Sequence, residues 1–165
     1  MLLDLLRLVS IPVVIGGALA GVDPSALSSA IAGPVFEQVG QYGVGEDSAS
    51  EIIASDGKVL AYTNSDKGSV DFVNISDPSN PTDITAVDVG GEPTSVAIHD
   101  GYAVAAVNTS SSFTNPSGKV VVIDMFDYKV VKEIALTGQP DAVSISPDGK
   151  FAAIAIENER DEDLN

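Results

Sequence analysis

Apolar and polar positions alternate along most of this chain in short runs, the period-two pattern of strands whose two faces meet different surroundings. Three of these runs repeat one another. Ala49–Gly57, Pro93–Gly101 and Pro140–Gly149 each carry an alternating strand that closes on Asp-Gly, a dipeptide suited to the positive φ angles of tight hairpin turns. A second strand follows each turn, over Lys58–Thr63, Tyr102–Val107 and Lys150–Ile156. The first two copies continue into a third strand, Ser69–Ile75 and Lys119–Met125, and a fourth, Ile84–Val89 and Val130–Leu136. A Gly-containing link then leads to the next copy. The turns recur 44 and then 48 residues apart, at Gly57, Gly101 and Gly149, which is the period of four-stranded propeller blades. No helical period lies between the strands, which disfavours an α/β sheet, and a sandwich does not call for near-copies at this period. The expected fold class is therefore all-β: a portion of a β-propeller built from four-stranded antiparallel blades.

The pattern also sets the expected boundaries. Blades are placed at 49–91 and 92–138, with a third, partial blade at 139–165 that holds only its first two strands. Ahead of them, Phe36–Val44 resembles the fourth-strand-and-link stretch Val131–Gln139. Residues 35–43 are therefore expected to be a closing strand, which completes the last blade of the ring and hides its edge. The missing strands and blades would come from further sequence of the same chain, so the expectation is an N-terminal fragment of a longer protein. Residues 1–34 form a leader. Its apolar stretch Leu8–Ala20 ends in Ala18-Leu19-Ala20, the small-x-small form of a signal-peptidase site, yet Asp4 offsets Arg7. It reads equally as an export signal or as a linker within a larger protein. Pro12, Gly16 and Gly17, and the shortness of the run, argue against a stable transmembrane helix. Asp23-Pro24 before Ser25–Ile31 reads as the capped start of a short helix.

Charge narrows the partners. Twenty-four acidic residues stand against 8 basic ones, a net charge of −16. Such a surface repels nucleic acid and anionic lipid and attracts cations. There is no cysteine, which excludes disulfides, thiolate metal sites and Cys nucleophiles.

Because strands alternate in direction, the Asp-Gly turns share one end of the blades with the connections between strands three and four. The other end collects the strand two-to-three connections and the inter-blade links. Glu46, Asp47, Asp66, Glu92, Asp141, Glu157, Glu159, Asp161, Glu162 and Asp163 fall there, with Asn64, Asn108 and, at a one-residue offset, Asn158 where strand two ends. The densest stretch supplies a candidate metal set: Glu157, Asn158, Glu159, Asp161 and Asp163. Clustered carboxylates with an amide oxygen suit Ca²⁺ or another divalent cation, which takes six to eight oxygens. The spacing lacks the glycine of an EF-hand loop, and a solvated acidic loop is the plain alternative. His99, the single histidine, precedes the Asp100-Gly101 turn at the opposite end and reads as a turn residue. No nucleophile elbow, phosphate loop or zinc-protease motif occurs, so no catalytic residue is assigned and enzymatic activity is left open. The serine-rich stretch Asn108–Gly118 reads as a long, flexible connection and a candidate binding loop.

Pro140–Asn158 resembles the YVTN/LVIVD class of bacterial propeller repeats. Ser50–Ile53, Val73–Pro81 and Glu157–Glu159 with the acids that follow resemble the choice-of-anchor I propellers, often labelled alkaline-phosphatase-like. The resemblance runs from about Phe36 to the end. It implies an extracellular or periplasmic propeller that belongs to a larger secreted protein. The expected function is binding of an extracellular ligand, protein or surface, with Ca²⁺ dependence. The alternative is a metal-dependent phosphoesterase of alkaline-phosphatase or phytase type, whose metal- and phosphate-binding residues this stretch does not show.

Overall fold

A computed structural model describes residues 2–9, 35–45 and 48–158. Among these residues the chain forms twelve strands and no helix. The core of the molecule is two four-stranded antiparallel meanders. The first comprises β3 (Ser50–Ser55), β4 (Val59–Asn64), β5 (Ser69–Asn74) and β6 (Thr82–Asp88), in that spatial order. The second comprises β7 (Glu92–His99), β8 (Tyr102–Asn108), β9 (Gly118–Asp124) and β10 (Lys129–Leu136). A third sheet holds β11 (Pro140–Ile145) and β12 (Ala152–Ile156). β1 (Leu2–Val9) pairs antiparallel with β2 (Val35–Gly43). The expected short helix at Ser25–Ile31 and most of the leader lie outside the described residues.

Each meander is a blade, and the middle strands are buried on both faces because a neighbour packs on either side. Ala61, Val70, Phe72, Val87 and Val89 of the first blade form one cluster with Val96, Ala103, Ala105, Val107, Val121 and Ile123 of the second. Small and β-branched side chains are what such closely packed sheets need. Phe72 is the largest of the fully buried side chains, and Tyr128, from the β9–β10 turn, sets its ring edge-on at 5.0 Å between centroids. The outermost strand β10 is exposed along most of its length.

The opposite face of the first blade buries Leu60, Tyr62 and Val73 under Val44, with Tyr42 and Ile75 at the margin. β2 comes close to this blade: a Cβ on Gly40 would collide with the Pro78 carbonyl, and the Tyr42 hydroxyl donates to Asp83 on β6. The second and third sheets are joined along their first strands, where the Thr94 hydroxyl donates to the Pro140 carbonyl (2.9 Å) and the Val143 amide to the Ser95 hydroxyl (3.1 Å).

The three Asp-Gly turns are not alike. Asp100 and Gly101 form a two-residue hairpin with φ of 46° and 79°, the type I′ geometry. The first turn uses three residues, 56–58, and only its Gly57 is left-handed. In the third, Pro147 precedes Asp148 and the connection lengthens to 146–151.

Candidate binding face at the link end of the blades

The antiparallel order carries the β4–β5 and β8–β9 connections and the inter-blade links to one end of the blades. The contacts there are direct. The Ser65 amide donates to the Ala49 carbonyl (3.1 Å), and Val89 donates to the Gly68 carbonyl (3.0 Å). The links enter so tightly that a Cβ on Gly138 would lie 2.6 Å from the Asn158 amide oxygen.

The three asparagines at this end tie strand two to the incoming link, but from different register positions. Asn64 pairs across from Ser50, the place held by Val107 in the second blade and Ile156 in the third. Asn108 lies one residue beyond that place and Asn158 two. Their bonds differ accordingly. Asn64 Nδ2 donates to the Ser48 hydroxyl and to Asp71 Oδ2, both at 3.0 Å. Asn108 Nδ2 donates to Glu92 (3.2 Å), and Asn158 Oδ1 accepts from the Gln139 amide (3.0 Å). Asn64 is fully buried, and its Oδ1 finds no partner among the described residues.

Of the candidate metal residues, Glu157 and Asn158 are described and exposed, and Glu159, Asp161 and Asp163 lie outside the described residues. Asp66, Glu92 and Asp141 are exposed on this end as well. Among the described residues no group of three or more His, Asp or Glu side chains is close enough to hold a metal ion.

The β8–β9 connection, residues 109–117, is cross-braced by its own side chains. Ser110 Oγ donates to the Ser117 carbonyl and accepts from the Ser117 amide (3.1 and 3.0 Å), while the Thr109 and Ser117 hydroxyls meet at 2.9 Å. Asn115 Nδ2 donates to Ser111 Oγ (2.8 Å), and Ser112 and Asn115 form an isolated bridge. Side chains that can bond nearby backbone let a long connection hold a shape without a ladder. Between this loop and the next link lies a cleft of about 190 Å³, lined by Asn108, Ser110, Ser111, Ser112, Phe113 and Gln139. Phe113 is 52% exposed at its edge, whereas Gln139 is buried. The serine run pointed to the loop, but neither of these two residues stood out in the sequence. The signal for Gln139 was its place before Pro140, matching Glu92 before Pro93.

At the opposite end a larger cleft, about 370 Å³, lies between the second blade and the third sheet, with His99, Val104, Val122 and Phe151 in its wall. Val104 and Val122 hold the register places of Ala61 and Phe72, and at the first interface Tyr128 packs on that surface. It is thus an interface between blades. His99 belongs to the same interface, because a Cβ on Gly149 (φ 68°) would collide with its imidazole.

Residues 50–165 match the choice-of-anchor I domain. The chain belongs to that family. Choice-of-anchor I domains are extracellular or cell-surface domains, and the described residues hold no helix long and apolar enough to cross a membrane. No curated protein matches the chain. Among solved structures, hydrazine synthase of Kuenenia stuttgartiensis aligns at a TM-score of 0.61 and 25% identity, over 74% of this chain and 33% of that one. Glutaminyl cyclase of Myxococcus xanthus aligns at a TM-score of 0.47 and 14% identity, over 74% of this chain and 48% of that one. The chain thus spans about a third of the hydrazine synthase chain it matches. The first of these likenesses supports the propeller fold for this choice-of-anchor I chain.

Proposed function

We propose that this chain is the binding part of a secreted propeller protein, and that it engages an extracellular ligand or surface through the link end of its blades. The observation that carries the reading is the β8–β9 connection. It is nine residues long (109–117) where the first blade uses four (65–68), and it is braced into a fixed shape beside a cleft. Loops positioned by a rigid sheet scaffold are where binding residues concentrate. The test is retention of the full-length protein on surfaces coated with extracellular polysaccharide or with envelope protein. Saturable retention supports the reading, and none on either surface overturns it.

Ca²⁺ dependence is the finer part of the proposal, with Glu157, Asn158, Glu159, Asp161 and Asp163 as its ligand set. Titration calorimetry of the full-length protein with Ca²⁺ should show binding that Glu157→Ala with Asp161→Ala weakens at least tenfold. No heat, or an unchanged affinity, removes the cation. Metal-dependent release of phosphate from monoesters would replace the binding reading with the phosphoesterase one.

Three facts support the closing-strand role of 35–43. Val44 follows β2 and packs on the first blade as Val89 follows β6 and packs between the blades. Tyr42 fastens to Asp83, and Gly40 lies against Pro78. In this arrangement β2 is the fourth strand of the blade that precedes the first, its remaining strands supplied by the same polypeptide.

A further inference from the structure

The cleft beside residues 109–117 has a chemistry unlike the rest of the surface. The chain carries a net charge of −16, yet none of the six side chains that line this cleft is ionisable. A charged ligand would find no counter-charge there, and a cation would find better company on the carboxylates around it. The bonding inside the cleft is also uneven. Asn108 is used at both ends of its amide, by Glu92 and by the Ser110 backbone, and Ser110 is used by Ser117. Gln139 is not. It is only 9% exposed, and its side-chain amide makes no hydrogen bond among the described residues, although its backbone N–H and C=O are both paired. Its amide atoms still reach the solvent of the cleft, so they are open to a ligand's hydrogen bonds. Its carboxamide offers one acceptor and two donors side by side. Ser111 Oγ accepts from Asn115, so its own proton is left to donate.

A group that both donates and accepts at closely spaced points, and carries no charge, is a hydroxyl-bearing ring. Phe113 supplies the other half of such a site, an apolar ring face standing half-exposed at the rim, where the C–H face of a pyranose can pack. The size agrees. At about 190 Å³ the cleft is smaller than the roughly 300–1,000 Å³ of sites for drug-sized ligands, and it suits one sugar ring.

We infer that the cleft between residues 109–117 and Gln139 binds a single neutral pyranose unit, presented by an extracellular glycan. Gln139 and Ser111 read its hydroxyls, and Phe113 stacks against its face. The inference rests on the proposal that the link end is the binding end, and it names the ligand class.

The test is saturation-transfer NMR and calorimetry on the full-length protein with methyl glucoside, galactoside, mannoside and N-acetylglucosaminide. A sialylated and a sulfated sugar serve as charged controls. The expected result is binding of at least one neutral pyranoside and none of the charged ones. Phe113→Ala and Gln139→Ala should each weaken it at least tenfold, with circular dichroism unchanged. Should Gln139→Ala fail to fold, the exposed pair Phe113→Ala and Ser111→Ala carries the test alone. Preference for the charged sugars, or affinity unmoved by Phe113→Ala, overturns the inference. If the protein is retained on a surface but no neutral pyranoside competes, the sugar is wrong and the binding face stands. If nothing is retained, both fall.

Discussion

The first and second blades share one register and one order of strands, yet they differ in two places, and the two differences have different causes. The first is the face each turns toward the chain that precedes it. Where the second blade has Ala103, Ala105, Val107, Val121 and Ile123, the first has Leu60, Tyr62, Asn64, Asp71 and Val73. The apolar set packs against a neighbouring blade of the same fold. The polar set receives β2, which pairs with β1 in a two-stranded sheet, and it is knit by Asn64 and Ser69 to Asp71 and by Tyr42 to Asp83. The second difference is the connection between strands two and three: four residues ending in Gly68 in one case, nine hydroxyl-rich residues in the other. The repeat supplies the scaffold. Departures from it mark what the scaffold is used for, a fastening in the first blade and a cleft in the second.

The most damaging way to disturb what the blades share is at Phe72. Its ring fills the space between them and meets Tyr128, so Phe72→Ala should cost about 3–5 kcal/mol, read as a loss in urea midpoint at unchanged slope. An unchanged midpoint would mean the two sheets do not pack in solution as described. The first blade's polar face is tested next, by a mutant cycle. Asn64→Val alone leaves Asp71 without its Nδ2 donor and should cost about 1–3 kcal/mol. Adding Asp71→Val together with Ser69→Ala, so that the Ser69 hydroxyl is not left without its carboxylate, should recover much of that loss, since removing the partners together is close to neutral. Simple additivity would show that these residues do not act together.

Alkali distinguishes the same two faces with a smaller effect. The hydroxyls of Tyr42 and Tyr62 are held above the usual phenol range near 10, chiefly by burial, with Asp83 and Asp71 adding to it. A raised folded value means that the neutral form is favoured in the native state. That stabilisation is intact below pH 10 and is lost progressively as pH rises past it toward the folded values. Thermal melts from pH 8 to 11 should therefore show a falling Tm, and Tyr42→Phe should flatten part of the fall. An identical slope in the variant would exclude Tyr42 as a contributor.

Much of this architecture was legible in the residues. Alternation and the Asp-Gly recurrence located the strands of both full blades within a residue or two, because period and turn chemistry are local. Burial of β4 and β8 on both faces was not legible, since it depends on neighbours that the alternation of a single strand does not record. The same limit explains the asparagines. In the sequence Asn64 and Asn108 look like one repeated position with Asn158 offset by one residue, yet the differing turns and bulges place the three at successive steps, and the pairing register shows it. In the candidate site, the serines announced a connection, which reads from sequence as flexible. Its bracing joins residues four to eight positions apart, a pairing that composition does not specify, and Gln139 reaches the cleft from a separate segment and leaves no local trace there. The acidic segment was the plainest signal of all; its residues 159–163 lie outside the described residues.

Replacing residues 109–117 with the first blade's own connection, Ser-Asp-Lys-Gly, bears most directly on the claim that the departure from the repeat is the binding element. Residues 65–68 already close the same kind of hairpin in this molecule, so the variant should fold with stability changed by no more than about 0.5 kcal/mol, as for a surface substitution. The account predicts that this folded variant loses retention on every surface that holds the full-length protein. Retention equal to the parent's, in a variant with an unchanged circular dichroism spectrum and melting point, would contradict it.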